Sequence, residues 1–336
     1  MTAVRERLIA IPRTVAVPPL RGESVVQRLH GETMGTTWSA IVVGPPRMSS
    51  DALNVAIKRA LDNIVAQMSA WLPHSDLSRF NRAEPGSTHE LPAELFCVLD
   101  YALAVASETD GAYDPTVGAL TALWGFGPEN NPQDVPDKEA MGTARGLCGW
   151  RRLRLSRSER EAVQPGGLII DLCAVAKGFA VDSLADVVRA LGCTDFLVEI
   201  GGELRGEGCK PDGTPWWVAI EAPRAAASVP DTVIALHGLA VATSGDQRRN
   251  FERGGRRYAH TLDPRTGHPV RNGVVSVTVV ADTCMEADAL STALYVLGEE
   301  LGLAFARRRG IPALFVLEDG GGLRERLSPA FTAMTG

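Results

Sequence analysis

GLIIDLCAVAKGFAVDSLADVVRALGCTDFLVEI, residues 167–200, passes from a short apolar run through a helical period to a second apolar run. Leu168 to Leu172 has the length and composition of a buried strand. From Ala176 to Leu191 the apolar residues recur at helical spacing and stop at Gly192, and Phe196 to Ile200 is again strand-like. The pattern predicts a β-α-β unit. Upstream, Leu53, Ile57, Leu61, Ile64, Val65 and Met68 mark a helix over Asp51 to Ala70, with Ser49 or Ser50 as cap. A second helix, Ala93 to Glu108, ends at the turn chemistry of Thr109-Asp110-Gly111. Downstream, strands are expected at Trp216 to Glu221, Thr232 to Leu236 and Val274 to Val280, helices at Met285 to Leu297 and Glu299 to Arg308, and a strand at Ala313 to Leu317. Strands cluster without strict alternation with helices, which predicts an α+β fold rather than a doubly wound parallel sheet.

The flanks are less regular. Residues 1–29, rich in Arg, Pro and Val without a period, read as a loosely ordered arm before a folded domain at 30–336. Leu72 to Glu90 reads as a polar loop, and Asn130 to Gln164 as connecting structure with one hairpin strand at Arg151 to Leu155. No internal repeat is present.

Composition removes several function classes. The chain has 336 residues, 45% hydrophobic and 22% charged, with 34 Gly and 21 Pro, which is globular with many turns. Its 34 Lys+Arg against 40 Asp+Glu give −6 without a basic block, so nucleic acid is not an expected partner. Apolar runs such as VVSVTVVA from Val274 are strand-sized, well short of the roughly 18 residues of a membrane span, so no transmembrane segment is expected. Pro12, Arg13, Pro18 and Pro19 interrupt any secretory apolar region. Cys97, Cys148, Cys173, Cys193, Cys209 and Cys284 are scattered without metal or C-x-x-C spacing, which favours reduced thiols and a cytoplasmic location.

Among candidate sites, the usual phosphate-loop, zinc-protease and nucleophile-elbow signatures are absent. The glycines of GGELRGEG (Gly201, Gly202, Gly206, Gly208) lie between two strands and read as a hairpin or bulge. EADALSTAL places Asp288, Ser291 and Thr292 on one face at the start of a helix, and such hard oxygens suit Mg²⁺. Taken alone, D-x-x-x-T at a helix start is more often capping or a solvated face. His260 stands before the turn Asp263-Pro264-Arg265-Thr266-Gly267, either as a general base or as a histidine satisfied by hydrogen bonds. Trp71, Tyr113, Trp124 and Phe126 are candidates for stacking on a planar ligand or for the core.

Taken in order, MGTTWSA at Met34, MSAWLPHSDLSRFN at Met68, GAYDPTVGALTALWGFG at Gly111, IDLCAVAKGFAVD at Ile170, VEIGGELRGEG at Val198, ATSGDQRRNF at Ala242, YAHTLDPRTGHPV at Tyr258 and EADALSTAL at Glu286 resemble the motifs of the ApbE family of FAD:protein FMN transferases. The resemblance covers roughly residues 30 to 320. It implies an α+β architecture related to the tunnel-type fold (T-fold), with FAD lying between two halves. It also implies a Mg²⁺-dependent enzyme in which a Thr or Ser hydroxyl of an acceptor protein attacks the FMN-side phosphorus of FAD. AMP leaves, and FMN stays attached to the acceptor through a phosphoester.

By the same resemblance, Met34, Trp71, Ala112, Tyr113, Asp114, Asp171, Lys177 and Leu262 match flavin-nucleotide contacts. Ala174, through its carbonyl, matches a metal contact together with Asp288, Ser291 and Thr292, and His260 matches the histidine that helps deprotonate the incoming hydroxyl. Trp71 stands where relatives commonly carry Tyr or Phe, Cys173 and Ala174 replace common glycines, and Ser291 stands where some relatives have Asp. The implied partners are FAD and an acceptor bearing a Thr/Ser flavinylation motif, either an electron-transfer complex subunit or a flavin-dependent reductase. Many relatives are exported lipoproteins with an early lipid-bearing cysteine, whereas the first cysteine here is Cys97, so a cytoplasmic enzyme is expected and a periplasmic one is the alternative. An FAD pyrophosphatase yielding FMN and AMP, and a non-catalytic FAD carrier, are the rival readings.

Overall fold

The computed structural model describes residues 7–12, 24–129, 133–220, 231–245 and 249–335. The chain divides into two compact units: Met1–Asp62, Lys177–Ser244 and Gly273–Gly336 make the first, Asn63–Ala176 and Gly245–Asn272 the second. Helices and mainly antiparallel strands are mixed, as an α+β chain requires.

The first unit is built on an eight-stranded sheet in the order Gly322–Leu327, Ala313–Asp319, Val274–Ala281, Leu239–Gly245, Glu203–Glu207, Asp195–Ile200, Thr36–Gly44, Val25–Thr33. Every pair whose register is described is antiparallel. Two of its hairpins close through two-residue turns at positive φ, Met34-Gly35 (49° and 71°) and Gly201-Gly202 (61° and 103°). Such turns match the right-handed twist of the flanking strands. Gly201 and Gly202 of GGELRGEG therefore serve a hairpin turn, while Gly206 lies within the strand Glu203–Glu207 and Gly208 follows it, and Met34 holds a conformation that a side chain adopts only at a cost. Ala176–Ala190 and Cys284–Arg309 are the unit's principal helices. The second is broken at Gly298 (φ 80°, ψ −176°), where the sequence predicts one helix to end and the next to begin. This helix is long and apolar enough to cross a membrane, but it is a core helix here, with Ala287, Leu294, Tyr295 and Phe305 buried.

In the second unit, Ala93–Glu108 ends as expected, with Asp110 and Gly111 in the left-handed region. The helix Ser50–Met68 passes from one unit's chain segment into the other's, and the Ser49 hydroxyl accepts from the Ala52 N–H.

Several expectations need correction. Leu168 to Leu172 is not a ladder strand; it makes only an isolated bridge, Val117↔Ile169, and the β-α-β unit does not form. Leu168, Ile170 and Leu172 are buried in alternation, which is the pattern that mimics a strand. Its backbone groups are satisfied otherwise: the Asn81 amide binds both the Ile170 N–H (2.8 Å) and its carbonyl (2.9 Å), Asp171 N–H donates to Pro115 O, and Ile169 O accepts from Gly118 N–H. The polar loop contains a helix, Asp76–Asn81, capped by Ser75, and a strand, Thr88–Glu90. The connecting segment contains the helix Lys138–Leu147, capped by Asp137, and the hairpin strand is Arg154–Ser156, preceded by a tight turn at Trp150–Arg152. Within the expected arm, Arg7–Ala10 pairs in parallel with Asp231–Leu236, and Val25–Leu29 belongs to an edge strand. That edge strand carries mixed polar side chains, so its burial pattern is too shallow to read from composition. The remainder of the arm, residues 1–6 and 13–23, lies outside the described residues, as does Glu221 at the end of the predicted strand, which closes at Ala219.

Asn81→Ala leaves two part-buried peptide groups of the 168–172 segment unpaired and is expected to lower unfolding free energy by about 2 kcal/mol. Urea unfolding of wild type and variant side by side measures this; an unchanged midpoint and slope would show that the segment does not depend on Asn81.

Candidate active site

The first unit's candidate site is set by two helices. Asp182, on Ala176–Ala190, accepts from the Cys284 and Met285 N–H groups, one carboxylate oxygen each at 2.9 Å, at the positive end of the Cys284–Arg309 helix. Arg205 pairs with the same carboxylate. One turn earlier on the same face, the Gly178 N–H donates to Asp288 Oδ2 at 3.0 Å. A methyl group on Gly178 would stand 2.8 Å from Asp288 Cβ and closer still to the Cys284 carbonyl, so only glycine permits this approach.

Asp288, 3% exposed, is therefore held by backbone, and among the described residues it has no ion pair of its own. Lys177 pairs directly with Glu203, itself 4% exposed at the start of the strand after Gly201-Gly202. One ammonium faces two buried carboxylates. Burial pushes the Glu203 carboxyl up to about 7, with Lys177 opposing and Asp288 adding to the rise. Burial likewise raises Asp288, against Lys177 and the Gly178 hydrogen bond. Glu203 Oε2 is buried with no hydrogen-bond partner among the described residues.

Beside Asp288 on the same helix, the Ser291 hydroxyl donates to the Asp288 carbonyl (2.9 Å). Ser244 Oγ lies 2.8 Å from both Ser291 Oγ and Thr292 Oγ1. Asp288, Ser291 and Thr292 thus belong to one cluster of oxygens, with Ser244 joining the A-T-S-G-D segment to it. Among the described residues no three or more His, Cys, Asp or Glu side chains form a metal-ligating group, so a cation here would rely on hydroxyl and carbonyl oxygens beside one carboxylate. The donor set fits a hard cation: it is all oxygen, and the surplus buried negative charge is what such an ion would offset. Met34 is half-buried in its hairpin turn in this unit.

The second unit holds the remaining candidates. Asp114 accepts from Thr116 N–H (2.8 Å), Thr116 Oγ1 (2.7 Å) and Trp150 N–H (3.0 Å); burial raises its carboxyl and these bonds oppose the rise. Asp171 Oδ1 accepts from Cys173 N–H at 2.9 Å, fixing the turn that carries the Ala174 carbonyl. Ala112 and Tyr113 are buried, as are Trp124 and Phe126, which pack in one cluster with Phe251 and Leu262. Of the aromatic candidates only Trp71, 48% exposed, offers an open ring face.

His260 follows the short strand Arg256–Ala259. Its Nδ1 lies 3.0 Å from the Arg249 carbonyl, which only accepts, so Nδ1 carries the hydrogen and Nε2 is the basic nitrogen of the neutral ring. Phe126 meets the imidazole edge-on at 6.3 Å. The predicted reversal at Asp263-Pro264-Arg265-Thr266-Gly267 forms, closed by Thr266 and Gly267 N–H groups on the Asp263 carbonyl, with Gly267 at φ 79°. Asp246, the last residue of A-T-S-G-D, lies outside the described residues.

Sequence reasoning did not single out Glu203, Ser244, Gly178 or Asp182. Each sits inside a quoted motif, but nothing local distinguishes a buried, paired glutamate from a solvated one.

A mixed α+β chain thus carries an oxygen-lined, electrostatically unbalanced cluster, drawn from two helices and two strands of its first unit. Residues 34–315 match the ApbE family, and the chain belongs to that family. It is 38% identical over 329 residues to the FAD:protein FMN transferase of Vibrio cholerae, covering 98% of each chain. To the FAD:protein FMN transferase of Haemophilus influenzae it is 35% identical over 335 residues, covering 98% of this chain and 97% of that one. Among solved structures, the apo form of the Pseudomonas stutzeri flavinyl transferase ApbE superposes with a TM-score of 0.86 at 39% identity, over 93% of this chain and 98% of that one. The ApbE protein of Thermotoga maritima gives 0.84 at 32% identity, over 93% and 100%.

Because the Glu203 carboxyl titrates near 7 in the folded chain against an ordinary 4.5, the folded state holds more protons between those values. Its stabilising contribution is complete below the lower value and is lost as pH rises through the upper one, so stability of the metal-free protein should fall between about pH 5 and about pH 8. Denaturant titrations across that range should show the decline, and Glu203→Gln should flatten it; an identical slope in the variant would assign the dependence elsewhere.

Proposed function

We propose that this chain is an FAD:protein FMN transferase, moving FMN from FAD to a Thr or Ser hydroxyl of an acceptor protein and releasing AMP. The observation that carries the reading is the buried cluster in which Lys177 faces both Glu203 and Asp288, with the Ser244, Ser291 and Thr292 hydroxyls beside it. Such a cluster suits a phosphate-bound divalent cation. Names of relatives at 35% to 38% identity over nearly their whole length support the same activity.

In this reading Asp288, Thr292 and Ser291, with the Ala174 carbonyl, would hold Mg²⁺. The ion would supply charge neutralisation to a pyrophosphate. Lys177 adds a point charge for the same purpose, and such positioning and neutralisation are most of what phosphoryl-type transfer demands. Trp71 presents its exposed ring to a flat partner, while Met34, Ala112, Tyr113, Asp114, Asp171 and Leu262 shape the nucleotide's surroundings. Leu262 and Tyr113 are buried, so their contribution is the backbone and wall they support. His260 takes the hydroxyl proton at Nε2 as the acceptor oxygen bonds to the FMN-side phosphorus and the bond from that phosphorus to the AMP oxygen breaks. The FMN-acceptor phosphoester and AMP are then the products, and atoms balance without an external oxidant.

Incubation with FAD, Mg²⁺ and an acceptor carrying a Thr/Ser flavinylation motif should yield AMP and acceptor-bound flavin in equal amounts. EDTA should abolish both. Asp288→Ala should cut the rate by about 10² or more, and His260→Ala by a similar factor with FAD affinity retained. AMP with free FMN in the presence of a competent acceptor would instead show a pyrophosphatase, and bound FAD without AMP a carrier.

A further inference from the structure

Ser244 is in contact with both Ser291 and Thr292, and each of these hydroxyls brings two lone pairs but only one hydrogen. The Ser291 hydrogen is already placed: it points to the Asp288 carbonyl at 2.9 Å, an atom that only accepts. Across its 2.8 Å contact with Ser291, Ser244 must therefore be the donor. That uses the Ser244 hydrogen, so across the other 2.8 Å contact the donor is Thr292. The hydrogens run one way, from Thr292 through Ser244 and Ser291 to a peptide carbonyl.

Burial follows the same direction. Ser291 is fully buried, whereas Ser244 and Thr292 are only partly so. All three hydrogens are consumed within the chain, and at its more open end Thr292 Oγ1 keeps both lone pairs. A helical threonine commonly donates to the carbonyl four residues back. For Thr292 that carbonyl belongs to Asp288 and Ser291 occupies it, so the hydrogen goes to a strand instead. Ser244 is fixed at the end of that strand, Leu239–Gly245, which pairs with Glu203–Glu207 on one side. On the other side the Thr243 hydroxyl lies 2.8 Å from that of Thr278 in Val274–Ala281. Successive side chains leave a strand on opposite faces, so Thr243 turns to this partner while Ser244 turns to the helix.

We propose that Ser244 is a positioning residue for the cation: it takes the hydrogen of Thr292 and gives its own to Ser291, so that the Thr292 oxygen meets the metal as an acceptor alone. This rests on the reading of the cluster as a magnesium site. A hydroxyl deprived of that acceptor can turn its hydrogen toward the ion, and the ion must then reorient the group before the oxygen can bind. Ser244 acts through Thr292, not by touching the cation.

The test titrates MgCl₂ by calorimetry into the full chain saturated with FAD, with no acceptor present. Ser244→Ala should raise the Mg²⁺ dissociation constant about tenfold, and Ser244→Thr, which keeps the hydroxyl, should restore most of the affinity. Ser244→Cys keeps the shape but offers only a weak thiol donor, so it should resemble Ser244→Ala and stands in for it if the alanine variant folds poorly. In all three the FAD dissociation constant measured in EDTA should stay within about twofold of wild type, which a general disturbance of the fold would not allow. Because the hydroxyls act as one chain, Ser244→Ala combined with Ser291→Ala should cost little more than the larger single loss. Unchanged Mg²⁺ affinity in Ser244→Ala or Ser244→Cys, no rescue by Ser244→Thr, or two losses that simply add would overturn the proposal. So would a weakened FAD affinity in EDTA, which would place the role of Ser244 in the fold or on the nucleotide. Magnesium binding that Asp288→Ala leaves intact would strike the cation reading and the proposal with it, whereas an Asp288-dependent site indifferent to Ser244 would strike the proposal alone.

Discussion

The contact on which the candidate site depends is the hydrogen bond from the Gly178 N–H to the buried carboxylate of Asp288, made across a gap that has no room for a Cβ. One turn further along the same helical face, Asp182 ties down the first two N–H groups of the helix that carries Asp288. These two attachments fix the position and rotation of that helix start. Ser291 and Thr292, three and four residues on, are thereby presented to Ser244. A short stretch of the Ala176–Ala190 helix, Lys177 through Asp182, thus supplies the cation, the backbone donor and the helix anchor.

The electrostatics of this cluster make little sense as stabilisation. Two buried carboxylates share Lys177, both are pushed toward protonation by burial, and Glu203 Oε2 has no hydrogen-bond partner among the described residues. Replacing such a cluster by apolar residues of similar size commonly stabilises a protein. Groups kept at a cost to the fold are what a site prepared for an incoming cation and phosphate would show, and perturbed carboxylates are where function concentrates.

How much of this the sequence discloses depends on whether the physics is local. The helices over 50–68 and 93–108 are legible because a 3.6-residue period is written along each one, whereas 284–309, buried on most of its sides in its first half, shows chiefly its break at Gly298. The Asp288, Ser291, Thr292 triplet is legible for the same reason. Leu168 to Leu172 misleads because alternate burial looks the same whether the backbone is paired to a neighbouring strand or to the Asn81 amide. Glu203 and Ser244 are invisible in isolation because their importance lies in partners 26 and 47 residues away. The buried Tyr113, Trp124 and Phe126 are separated from the exposed Trp71 only by packing, which composition does not encode.

The central claim, that the surplus negative charge around Asp288 and Glu203 receives a divalent cation, is tested most directly by calorimetric titration of MgCl₂ into the FAD-saturated protein near pH 7, in two buffers of different ionisation enthalpy. A cation arriving there lowers the carboxyl pKa values, so binding should release protons, and Glu203→Gln should remove most of that release while Asp288→Ala removes the binding. Magnesium binding with no proton release, and with affinity unchanged by Asp288→Ala, would contradict the account.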